Sequence, residues 1–117
     1  MENHMILSTI RMTIPPKKRP EALKILGSVA EQCRDDPGCL GCHIYEDLQE
    51  KNVLMFKEVW MADEYLDLHI RSDEYRNLLL VMEMSLKQPE IRFDTISKST
   101  GIETIEKEKR REGKNHR

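Results

Sequence analysis

Three side chains able to do acid–base or aromatic chemistry fall within one short run of the chain: Glu58, Trp60 and His69, between Phe56 and Tyr75. A carboxylate and an imidazole can hold a proton between them, and an imidazole that titrates near neutrality can take a phenolic proton or hold the resulting anion. Phe56, Glu58 and Trp60 are spaced by two, so in an extended strand they share one face. A carboxylate on an otherwise apolar face must find a partner or accept a raised pKa. His69 is one candidate partner and Arg11 another. At helical spacing His69 shares a face with Leu66 and Ile70, which should point inward. The alternative for His69 is a core histidine bonded to a carboxylate or a backbone group. Glu58 reads as the group that orients His69 or braces the sheet. Trp60, Phe56, Tyr75, Tyr45 and Met82 are the candidate substrate contacts, with ordinary core packing as the alternative for each.

The cysteines raise other chemistries. Cys39-Leu40-Gly41-Cys42-His43 has the C-x-x-C-H form of c-type haem attachment. It lies on an expected strand, where the two thiols should point to different faces, and no apolar leader precedes it. Cys33, Cys39, Cys42 and His43 offer metal-binding atoms but no second C-x-x-C. A thioredoxin-like role is disfavoured because the motif does not open a helix. The reading therefore has no cofactor and no metal. An odd number of cysteines without a leader points to free thiols and a reducing cytoplasm.

The elements that must position these residues follow from periodicity. Met5 to Ile14 alternates, with Ile6, Ser8, Ile10, Met12 and Ile14 on one face. After Pro15-Pro16 a helix carries Ala22, Leu23, Leu26, Val29, Ala30 and Cys33 at helical spacing, ending at Pro37-Gly38. Cys39–Leu48 and Val53–Met61 read as strands joined by a turn at Gln49-Glu50-Lys51-Asn52. The second of these is apolar on both faces, so it should be covered on both sides. A short helix follows from about Asp63 to Arg71. A longer one runs from the cap residue Ser72 to about Lys87, with Tyr75, Leu78, Leu79, Met82 and Leu86 as its stripe. Glu90–Ser97 is a last strand with Ile91, Phe93 and Thr95 on one face. The order β-α-β-β-α-β predicts an α+β, ferredoxin-like sandwich with a four-stranded antiparallel sheet and helices on one face.

At 117 residues the chain makes one domain, residues 1–100, with 101–117 as a charged tail, read as a frayed helix or disordered. The hydrophobic share of 38% is low beside 34% charged, and a small chain of that kind gains burial by forming a homodimer. A net charge of -2 gives no reason to expect nucleic acid or a membrane surface as partner, and no stretch approaches membrane-spanning length.

Pro37-Gly38-Cys39-Leu40-Gly41 leads into Tyr45-Glu46-Asp47. Phe56-Lys57-Glu58-Val59-Trp60 follows, then His69 nine residues after the tryptophan, then Ser72-Asp73-Glu74-Tyr75. In order and spacing this resembles the antibiotic biosynthesis monooxygenase family, quinol monooxygenases included, over roughly residues 5–98. The resemblance implies a dimeric α/β barrel, a pocket in each subunit between sheet and helices, and oxidation of a small quinol, phenolic or polyketide-like substrate by molecular oxygen without metal or flavin. Some relatives degrade haem with an Asn, Trp and His triad. The corresponding positions here hold Ile10, His69 and Leu79, so that activity is not implied. Function varies widely on such folds. Two further readings stand beside the monooxygenase: a non-catalytic dimeric ligand-binding or interaction protein, and an isomerase or decarboxylase using the same histidine without oxygen.

Overall fold

The computed structural model describes residues 4–115. Four strands form one antiparallel sheet: β1 (Met5–Thr13), β2 (Cys39–Glu46), β3 (Val53–Trp60) and β4 (Glu90–Ile96), in the order β2-β3-β1-β4. Helices α1 (Arg19–Arg34), α2 (Asp63–Ile70) and α3 (Asp73–Glu83) follow the expected sequence of elements, and α4 (Ile102–Asn115) closes the chain. Every second residue of β1 from Ile6 to Met12, and Ile14 just beyond it, is buried, as the alternation predicts. Leu54, Phe56, Glu58 and Trp60 of β3 lie on the same covered face, because Phe56 pairs with Ile10 and Glu58 with Ser8. α1 covers this face with Ala22, Leu26, Val29, Ala30 and Cys33, and α3 with Tyr75, Leu78, Val81 and Met82. No helix among the described residues is long and apolar enough to cross a membrane.

Several details differ from the periodicity. α1 ends at Arg34, before Pro37-Gly38, with Asp35 as its C-cap. The Ser72 cap is as expected, its Oγ accepting the N–H of Tyr75 at 3.3 Å. α3, however, stops at Glu83, because Thr13 at the end of β1 competes for the backbone beyond it. The N–H of Leu86 bonds the Thr13 carbonyl at 2.8 Å, and the Thr13 N–H bonds Ser85 Oγ at 3.0 Å. Leu86 is therefore exposed, as are Leu79 and Ile70, while Val81 takes the inward position. On β4, Ile91 and Phe93 do share the covered face, opposite Ile10 and Ser8, yet both are exposed because the helices do not reach this edge strand. The charged tail is the helix α4, whose described side chains are all exposed.

β2 carries a register shift between Cys39 and Gly41. Without it, residues three apart on a strand would face opposite ways. With it, Cys39 stands opposite Trp60 and Cys42 opposite Glu58, both on the helix side. The expectation that the C-x-x-C thiols diverge is corrected by this one bulge.

Candidate functional site

Glu58 and His69 meet inside the fold. Glu58 projects from the covered face of β3, and His69 from the inner face of α2 beside Leu66. The His69 Nε2 to Glu58 Oε2 separation is 2.6 Å, with both side chains fully buried. Neither ring nitrogen has a well-aligned hydrogen-bond partner, so the contact is first of all an ion pair. On the other side of the ring, Nδ1 lies 3.4 Å from Asp36 Oδ2. Asp36 sits in the loop between α1 and β2, brought there by the turn at Gly38. Gly38 has φ 78°, and a Cβ on it would lie 2.1 Å from the ring of Tyr65.

Burial alone would lower the His69 pKa, but the Glu58 carboxylate reverses this, with help from the charges of Glu74 and Asp36, and the net shift is upward from 6.5. Glu58 thus holds the imidazole toward its protonated form. Both ring nitrogens face carboxylates, Nε2 toward Glu58 and Nδ1 toward Asp36. Arg11, the other candidate partner of Glu58, points to the opposite sheet face, where it pairs with Asp47, Glu50 and Glu90.

Trp60 stacks on His69 with ring centroids 4.6 Å apart and planes tilted by 34°, and Tyr75 meets the same ring edge-on at 5.3 Å. No space remains between Trp60 and His69. The Tyr75 hydroxyl is pushed up to about 12 by burial and by the Glu58 charge, so it stays a neutral phenol. Phe56 and Met82 are core side chains on β3 and α3. Tyr45 lies on the open face of the sheet, half-exposed under Lys57 Nζ, because it pairs with Met55 and not with the covered residues. The structure therefore brings together Glu58, Trp60, His69 and Tyr75, and leaves Tyr45 on the other side of the sheet.

The imidazole borders a cleft of about 120 Å³ lined by Asp36, Pro37, Tyr65, Leu68, His69, Ser72 and Glu74. Two of these carboxyls were not singled out from the sequence. Glu74, in the first turn of α3, is pushed up to about 7 by burial and by the side chain and charge of Asp36. Its position in a first turn, where acids commonly offset the helix dipole, hid it. Asp36 lies in a polar loop with no period to mark it.

The three thiols gather behind Glu58. Cys33 Sγ is 3.6 Å from Glu58 Oε2 and 3.8 Å from Cys39 Sγ. Its thiol is held well above the usual range, mainly by contact with Cys42 and then by burial. Among the described residues, Cys33, Cys42 and Glu58 form one group whose donor atoms could converge on a cation, and Cys33, Asp36 and His69 form another. Both sets are incomplete as tetrahedral sites with three donors each.

A family model described as antibiotic biosynthesis monooxygenase matches residues 5–79. An uncharacterized protein of Synechocystis sp. is 30% identical over 66 residues, covering 56% of this chain and 45% of that protein. The match thus spans less than half the length of that relative. A conserved protein of Methanosarcina mazei is similar with a TM-score of 0.73 at 27% identity, over 78% of this chain and 91% of that one. A protein of Mycobacterium tuberculosis is similar with a TM-score of 0.74 at 18% identity, over 83% and 99%. A solved antibiotic biosynthesis monooxygenase is similar with a TM-score of 0.70 at 18% identity, over 82% and 99%. The last two likenesses bear on the fold alone.

Proposed function

Because the chain belongs to the antibiotic biosynthesis monooxygenase family, we propose that it is a cofactor-independent monooxygenase acting on a small quinol or phenolic substrate. The observation that carries this is the buried Glu58–His69 pair at 2.6 Å, with His69 bordering a cleft. A quinol becomes a strong reductant once deprotonated, so the protein's part is to hold the anion and exclude water while oxygen reacts. One oxygen atom then enters the substrate and the other leaves as water, the electrons coming from the substrate itself. In this reading His69, kept cationic by Glu58, stabilises the substrate anion. Trp60 and Tyr75 fix the imidazole plane from two sides, and Phe56 and Met82 pack behind them.

Oxygen uptake with a panel of quinols tests the reading. His69→Ala should lose roughly 100-fold or more in kcat/KM, the scale of removing one stabiliser of a developing anion. Full turnover by this variant would remove His69 from the mechanism.

A second reading, a non-catalytic binding protein of the same fold, is favoured by one observation. The cleft of about 120 Å³ is smaller than the roughly 300–1,000 Å³ of usual ligand sites, and Trp60 fills the space beside His69. Under that reading no quinol on the panel accelerates oxygen consumption.

A further inference from the structure

We infer that Cys33, Cys39, Cys42 and Glu58 form a binding site for one thiophilic divalent cation of the zinc class. The site lies behind Glu58, away from the cleft beside His69, and it stands whether or not the chain is an oxygenase.

Local structure brings the four donors together. Cys33 comes from the last turn of α1. The register shift in β2 puts Cys39 and Cys42 on the helix side, opposite Trp60 and Glu58 of β3. Donor atoms of Cys33, Cys42 and Glu58 all lie within 4.8 Å of one another, and all three residues are fully buried. Cys39 is the fourth donor that this group lacks by itself.

The spacings match a tetrahedron. With Zn–S of about 2.3 Å and Zn–O of about 2.0 Å, two sulfurs on one zinc sit about 3.8 Å apart, and a sulfur and an oxygen about 3.5 Å. Cys33 Sγ stands 3.8 Å from Cys39 Sγ and 3.6 Å from Glu58 Oε2. Two edges that meet at Cys33 are thus already at ligand spacing. Cys39 Sγ now leans on the Gly41 carbonyl at 3.6 Å, and turning the side chain off that carbonyl closes the set.

An idle buried atom supplies a second argument. Glu58 Oε1 is buried and has no hydrogen-bond partner among the described residues. Burying a carboxylate oxygen unpaired is costly, and a cation among the neighbouring thiolates removes that cost. Glu58 can serve the cation and His69 together, because its two oxygens offer about four lone-pair sites. His69 then acts as the outer group that orients a ligating carboxylate. Thiolates select zinc over magnesium and calcium, which take oxygen donors. Cys39 and Cys42 line a surface cleft of about 240 Å³, the path of entry. Four protein donors leave no open position, so the cation is structural and adds no step to the chemistry proposed above. It ties the end of α1 to β2 and β3, and so fixes the loop that carries Asp36.

Cobalt(II) added without oxygen to the reduced, metal-free protein tests this. One equivalent should give the strong visible bands of tetrahedral cobalt and near-ultraviolet thiolate-to-cobalt charge transfer. One equivalent of zinc(II) should erase both. In competition with a chromophoric chelator, Cys42→Ser should weaken zinc by more than the roughly 10–100-fold that loss of an outer partner costs. Cys42 is buried, so Cys39→Ser, at a partly buried position, keeps the test independent of folding. It should retain the native circular dichroism spectrum, lose charge-transfer intensity and bind zinc at least about tenfold more weakly. Zinc should raise the Tm of the wild type and leave that of Cys42→Ser unmoved. A weak, octahedral cobalt spectrum from the folded wild type would overturn the inference. Zinc affinity unchanged in both Cys39→Ser and Cys42→Ser would also overturn it, by assigning the binding to other donors.

Discussion

Glu58 and His69 each make the other's charge tolerable, because an isolated ion in a fully buried position would be neutralised or expelled. Glu58→Gln removes the anion, leaves a buried imidazole that prefers to be neutral, and should cost about 3 kcal/mol near pH 6. The dependence on pH has a definite sign. A histidine held above 6.5 in the fold stabilises it fully below that value, and the contribution fades as pH rises through the raised one. Glu74, raised from 4.5 to about 7, acts in the same direction, its contribution lost between those values. Urea denaturation should therefore show the Glu58→Gln penalty shrinking as pH is raised past the folded His69 value. A penalty unchanged from pH 6 to pH 9 would contradict the ion pair. Alternation along β3 and helical spacing along α2 made Glu58, Trp60 and His69 legible in the sequence. Asp36 and Glu74 were not, because their meeting depends on how one loop and one helix start are packed.

Small backbone devices set where those residues go. The bulge after Cys39 gathers three thiols behind Glu58, and a single inserted position on a strand leaves no periodic trace. Gly38 is the other device. Its positive φ excludes a side chain without strain, and its Cα lies against Tyr65. Gly38→Ala combines a left-handed alanine with a clash that Tyr65 must relieve, so it should cost about 2–5 kcal/mol. A loss of under 0.5 kcal/mol by denaturant titration would mean the turn is softer than drawn. The same periodicity that located α3 overran its end, because bonds from Ser85 and Leu86 to Thr13 are long-range and invisible to a local window.

The whole chain leaves apolar surface uncovered. Leu40, Tyr45 and Met61 are about half-exposed around the open side of the sheet, and Ile91, Phe93 and Leu79 are exposed around the β4 edge and α3. We read this as the contact surface of a homodimer, in keeping with a chain only 38% hydrophobic. Light scattering coupled to gel filtration should give twice the 13.8 kDa chain mass, and a monomer at micromolar concentration would remove that reading. Trp60 is the single tryptophan, so any ultraviolet emission from indole originates 4.6 Å from the His69 ring. An imidazolium in van der Waals contact quenches an excited indole far more than a neutral imidazole does. The molecule thus carries its own lamp beside the site, dim while His69 is charged and brighter once the proton leaves.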